Sequence, residues 1–171
     1  ETANASLYAS TSFSTSSAIK VNKMAKNSQT VLYVVGSFSG NFMMSGGISA
    51  VGTDAFLMGF NIGATPTTYF SLNLLQGYGG NGYQEAFDVS VRLPAIRMAG
   101  VFAGTCTFPS GGSVSLTSAG GTDGFVIELN SSGNPTYSTN KFRIGSTGND
   151  GITSIDSDPG TRAFAIGGYF S

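Results

Sequence analysis

The chain has 171 residues and a net charge of −1; only 10% of its residues are charged, whereas 25 are Gly. Its eight cations are scattered, which excludes a phosphate-binding surface and nucleic acid as a partner, and the absence of His removes the usual general base, the usual metal ligand and the Ser-His-Asp system together. A single cysteine, Cys106, excludes an intramolecular disulfide, and no apolar run approaches the ~18 residues of a membrane span, so few charges and many small residues point to an extracellular or cell-surface β protein.

The chain begins at Glu1 with no basic and apolar leader, which reads as a processed product or a piece. Tyr8 and Ala18-Ile-Lys-Val21 read as strands of a degenerate first copy of a repeat over residues 1–40. The next strand, Val31-Leu-Tyr-Val-Val-Gly-Ser-Phe-Ser39, recurs as Ala95-Ile-Arg-Met-Ala-Gly-Val-Phe-Ala103 and Ala163-Phe-Ala-Ile-Gly-Gly-Tyr-Phe-Ser171. Each copy is an apolar strand reaching Gly36, Gly100 or Gly168, followed closely by an aromatic residue. A spacing of 64 and 68 residues marks an internal repeat.

A second landmark, Thr53-Asp-Ala-Phe-Leu-Met-Gly-Phe-Asn61, returns as Thr122-Asp-Gly-Phe-Val-Ile-Glu-Leu-Asn130. Alternation places Phe56, Met58 and Phe60, and likewise Phe125, Ile127 and Leu129, on one face of a strand. Each is followed by a Pro-containing turn at Gly63–Pro66 or Ser131–Pro135. A second strand then runs around Tyr69–Leu75 or Tyr137–Ile144. A Gly-rich turn leads to a short third strand, with Ala86-Phe-Asp-Val89 set against Ser154-Ile-Asp-Ser157, and the Gly-aromatic strand is the fourth. The connections 39–52 and 104–121 are rich in Gly, Ser and Thr. The second of them reads as a small hairpin through Ser110-Gly-Gly, with Phe108 and Leu116 to bury.

The fold class is therefore all-β, built of repeated four-stranded antiparallel meanders, with a β-sandwich as the alternative. Residues 1–40 form a degenerate partial repeat, 41–104 and 105–171 are repeats with a linker hairpin each, and together they make one β domain. The succession Gly-x-Phe, Leu116-Thr-Ser-Ala-Gly-Gly-Thr-Asp-Gly-Phe-Val-x-x-Leu-Asn130, Ser132-Gly-Asn134, Gly145-x-x-Gly-Asn-Asp150 and Ile155-Asp156 resembles the bacterial β-propeller repeats of the SBBP type, most clearly over 95–171. That resemblance implies propeller-blade-like units. Propellers close with at least about four blades, so the units counted here are an incomplete propeller, to be completed by more chain or by neighbouring molecules.

The carboxylates Asp54 and Asp123 fall at equivalent repeat positions, as Asp88 and Asp156 do in this alignment, which assigns them to turns and strand ends. No pair has the facing geometry of a glycosidase. Gly77-Tyr-Gly-Gly-Asn-Gly82 matches G-x-G-x-x-G, but it leads into a strand instead of a helix, so it is not a dinucleotide site. Asp150, Asp156 and Asp158 offer hard oxygen ligands for calcium, although Asx turns explain the same residues without an ion. Asn4-Ala-Ser6 and Asn130-Ser-Ser132 are N-glycosylation sequons, hence glycoprotein candidates. Tyr69, Tyr78, Tyr83, Tyr137 and Tyr169 offer rings for stacking on sugars.

The functional expectation is a noncatalytic extracellular structural or adhesive protein with no cofactor, pairing with copies of itself by strand addition into a filament or surface layer. The alternative is a glycan- or protein-binding propeller module of a larger secreted protein.

Overall fold

A computed structural model describes residues 14–15, 18–27, 30–44, 47–63, 70–109, 114–136, 141–158 and 160–171. Tyr8, Asn4, Tyr69 and Tyr137 lie outside the described residues. Strands account for nearly all regular structure, and no helix is present among the described residues. In chain order they are β1 (Ser14–Thr15), β2 (Ile19–Lys26), β3 (Val31–Met43), β4 (Ile48–Asn61), β5 (Ser71–Tyr78), β6 (Gly82–Arg92), β7 (Ala95–Phe108), β8 (Val114–Leu129), β9 (Lys141–Ile144), β10 (Gly151–Ser157) and β11 (Phe164–Tyr169).

The antiparallel ladders run β2-β3-β4-β5, then β6-β7-β8-β9, then β10-β11. Four-stranded meanders are thus the building unit, but out of phase with the sequence repeat. The Gly-aromatic strand pairs with the Thr-Asp-x-Phe strand that follows it, not with the one before. Among the described residues the first two meanders are joined by a short parallel ladder, Gly52 to Gly82 and Thr53 to Tyr83, and by one antiparallel bridge, Gly79 to Thr107. Among the described residues the sheet does not close into a barrel or propeller.

The Gly-Ser-Thr connections turn out to be extensions of the strands. Asn41 faces Ser49 and Phe42 faces Ile48, while Thr105 to Phe108 face Thr117 to Val114 beyond a register shift. Phe42 and Phe108 are fully buried there, which anchors the long hairpin tips.

Every unit repeats one irregularity. A single extra residue, Asn22, Phe87 or Thr153, bulges out of β2, β6 or β10 next to the residue that faces Gly36, Gly100 or Gly168. The bulge draws backbone toward the glycine. A Cβ on Gly36 would collide with the carbonyl of Lys20, on Gly100 with that of Glu85, and on Gly168 with that of Gly151. Close approach, rather than an unusual φ, therefore fixes glycine three times over. The bulges also correct the repeat alignment: Asp88 is level with Ser154, not with Asp156 two residues on.

Packing follows the same order. β6 lies against β2, β3 and β4 of the first meander, and β10 stands in the same relation to β6, β7 and β8 of the second. The main core lies between the first two meanders, with Val35, Leu57 and Tyr78 from one and Met98, Phe108, Phe125 and Ile127 from the other. Phe38, Phe42, Phe56, Met58 and Phe60 fill the other face of the first meander. A smaller core of Ala99, Val126, Ile152 and Ile155 seats β10 on the second.

Candidate functional site

The three leading strands, β2, β6 and β10, converge with no backbone ladder between them among the described residues, so side chains bridge the gaps. An open groove of about 580 Å³ follows them, lined by Lys23, Asp88, Ser90, Ser154, Asp156 and Ile166 among others. On the first seam, Glu85 is buried, and its Oε1 takes Lys20 Nζ at 2.7 Å and Asn22 Nδ2 at 2.7 Å. Asn22 Nδ2 also reaches the carbonyl of Ala86 at 2.9 Å, and the Tyr83 hydroxyl donates to Glu85 Oε2. Burial pushes the Glu85 carboxyl up, but the hydrogen bonds from Lys20, Tyr83 and Asn22 outweigh it and hold the group below its ordinary value. Burial and the same bond push the Tyr83 phenol up to about 12.

On the second seam Asp88 does the joining. Its Oδ2 accepts the amide of Ile155 at 2.9 Å, and its Oδ1 accepts that of Val89 at 2.8 Å and sits 3.4 Å from Lys23 Nζ. Arg97 closes the far side, donating from Nη1 to Ser157 Oγ at 2.9 Å and from Nη2 to Glu128 Oε2 at 2.8 Å and the Arg162 carbonyl at 3.1 Å. Its guanidinium also lies over the Phe164 ring at 5.2 Å. The pairs Lys20–Glu85 and Arg97–Glu128 were not singled out from sequence, since their partners are 65 and 31 positions apart.

The equivalent aspartates Asp54 and Asp123 do not line the groove. Asp54 accepts the Gly80 amide, and burial pushes its carboxyl up. Asp123 Oδ2 accepts the Ala119 amide at 2.8 Å and Arg143 Nη1 at 2.9 Å. A side chain at Gly79 or Gly145 would run into these carboxylates.

The calcium candidates are spread along β10 and not gathered. Asp150 precedes the strand, with Oδ2 on the Ser146 amide at 2.6 Å and Oδ1 on the Ser171 amide at 2.7 Å, and these two amides hold its carboxyl below the usual range. Asp158 lies past the other end, about 26 Å away for eight extended residues. Its Oδ1 accepts the amides of Gly160 and Thr161, each at 2.7 Å, and is likewise lowered by them. Asp156 Oδ1 takes the Ser157 amide at 2.9 Å. Among the described residues, no three His, Cys, Asp or Glu side chains group as metal ligands.

Asn130 caps its turn, with Oδ1 accepting the amides of Ser132 at 2.9 Å and Asn134 at 3.1 Å. Nδ2, the atom to which a glycan is attached, takes no part in these two bonds. Tyr78 is fully buried with its hydroxyl on the Gly133 carbonyl at 2.7 Å, so it is a core residue and not a sugar platform. Tyr83 is partly exposed at the groove's end, and Tyr169 is exposed on β11. Cys106 is buried, and burial pushes its thiol far up, away from reactivity. No described helix is long and apolar enough to cross a membrane.

The site that remains is an edge. In β3 and β7 both sides are paired, by β2 and β4 and by β6 and β8. In β11 only the side toward β10 is paired among the described residues. Phe38 and Phe102, two residues past the repeat glycine, are 1% and 0% exposed, whereas Phe170 at the same place is 58% exposed. Ile166 is 37% exposed against 3% for Val34 and 0% for Met98. No protein-family model matches the chain, and no curated protein matches it.

Proposed function

We propose that the chain is a noncatalytic extracellular structural or adhesive β-repeat protein that assembles with copies of itself through intermolecular strand pairing, into a filament or a surface layer. The open edge of β11, with Ile166, Tyr169 and Phe170 exposed along it, carries the reading. Unpaired backbone flanked by apolar side chains recruits another strand. Among the described residues β5 and β9 each have a ladder on one side only, which provides further edges for growth. The carboxylates are engaged in caps and ion pairs, which supports a scaffold over an enzyme. The like placement of β6 and β10 against the preceding meanders supports kinship with propeller repeats of the SBBP type. Electron microscopy and sedimentation velocity over a concentration series test the assembly. Growing oligomers or filaments are expected, and stable monomers at all concentrations overturn it.

The groove along β2, β6 and β10 favours a second reading, a glycan- or protein-binding module of a larger secreted protein. Its polar lining of Lys23, Asp88, Ser90, Ser154 and Asp156 suits hydroxyl-rich or peptide ligands. Glycan-array binding that is lost on Lys23→Ala with folding intact would establish it.

A further inference from the structure

We propose that the open edge of β11 is a receptor for one kind of strand, an antiparallel segment carrying Thr-Asp-x-Phe followed by alternating apolar residues, supplied by a further repeat unit. The inference rests on the strand-pairing reading and narrows it, because it names the partner's chemistry and register.

The two complete copies show what covers this edge. Gly36 faces Phe56 and Gly100 faces Phe125; Phe38 faces Asp54 and Phe102 faces Asp123. In both copies the aromatic after the glycine meets the Phe of the Thr-Asp-x-Phe strand edge-on, with ring centroids 6.4 Å apart. Val34 faces Met58 where Met98 faces Ile127, and Leu32 faces Phe60 where Ile96 faces Leu129. β11 presents the same series, Phe164, Ile166, Gly168 and Phe170, with no strand paired on the side away from β10 among the described residues.

Carrying the register over puts the partner's Asp opposite Phe170, its Phe opposite Gly168, and its two following apolar residues opposite Ile166 and Phe164. Gly168 is again the residue without a side chain, so the partner's Phe ring can lie across it. β4 and β8 are paired on both sides, so neither is free to be donated. The donor is a unit whose own Thr-Asp-x-Phe strand is unpaired.

The test uses the full chain and a synthetic peptide of Thr122–Asn130, followed by fluorescence anisotropy. Binding is expected, weakened at least about tenfold by Phe125→Ala in the peptide or Ile166→Lys in the protein. Register is read by cross-linking. With Ala165→Cys in the protein, a peptide carrying Glu128→Cys forms a disulfide, and peptides with the cysteine one residue either way do not. Cys106 is buried and does not compete. No binding, binding indifferent to Phe125→Ala, or cross-links without register preference overturns the proposal. Peptide binding to a chain that stays monomeric supports it and removes self-assembly.

Discussion

At the scale of single residues, the repeat is held by groups that permit close approach and groups that close the gaps it leaves. A Cβ at Gly100 has the backbone of Glu85 and Ala86 in its way, and backbone cannot swing aside as a side chain can. Gly100→Ala is therefore expected to cost about 3 kcal/mol, read as a lowered denaturation midpoint at unchanged slope. The equivalent aspartates respond in opposite directions. Burial raises Asp54 above its ordinary 3.8, so the folded state holds that proton more tightly than the unfolded chain and loses stability as pH rises from 3.8 through the folded value. Asp54→Asn removes this loss, and the variant should gain on the native chain in thermal melts as pH rises above 3.8. Asp123 carries a hydrogen-bonded ion pair with Arg143 instead, and Asp123→Asn should cost about 2 kcal/mol at neutral pH. Sequence placed these two at equivalent positions. It did not distinguish them, because Arg143 is 20 positions away and reaches Asp123 only through the β8-β9 pairing.

At the scale of elements, the period-2 patterns and the recurring Gly-aromatic strand made strand type and repetition legible, whereas pairing phase was not. Neither 31–43 nor 48–61 says whether its partner precedes or follows it, and long Gly-Ser-Thr connections disguise hairpins whose strands simply continue. The one-residue bulges added a slip of their own, since an alignment that ignores them sets Asp88 against Asp156. The seams were hidden for the same reason, being built from side chains remote in sequence. They make a direct prediction. Among the described residues β10 and β11 have no ladder to the rest and are held by Asp88 on the Ile155 amide, by Arg97 on Ser157 and Arg162, by Arg92 on the Asp158 carbonyl, and by a small core. Arg97→Ala should speed tryptic cutting after Arg162 about tenfold while the β3-β4 and β7-β8 hairpins stay folded. Loss of all structure in the variant, or no change in cutting, would refute that role. The first seam responds to pH. Glu85 is held below its ordinary 4.5, so the stability it contributes is full above 4.5 and is lost as pH falls through its folded value. Glu85→Gln should flatten the acid side of the stability profile.

For the whole molecule, the three units form a graded series instead of equal thirds. Among the described residues, seventeen buried ones fill the core between the first and second meanders, and four fill the core between the second meander and β10. Local opening draws on the weakest contacts first, so the last hairpin should open without the others. β11 is the same sequence element as β3 and β7, which makes it an internal control: intrinsic strand preference is shared, and only the number of paired sides and the depth of the adjoining core differ. Amides of β3 and β7 are expected to exchange with deuterium only through global unfolding. Those of β11 should exchange at least about 100-fold faster, and the Asp88–Ile155 bond should hold β10 between the two. Uniform protection across the three equivalent strands would mean that the short hairpin is locked to the rest more tightly than its contacts account for. If the Thr122–Asn130 peptide then slows exchange in β11 and leaves β3 and β7 unchanged, the missing second side is what separates the three copies.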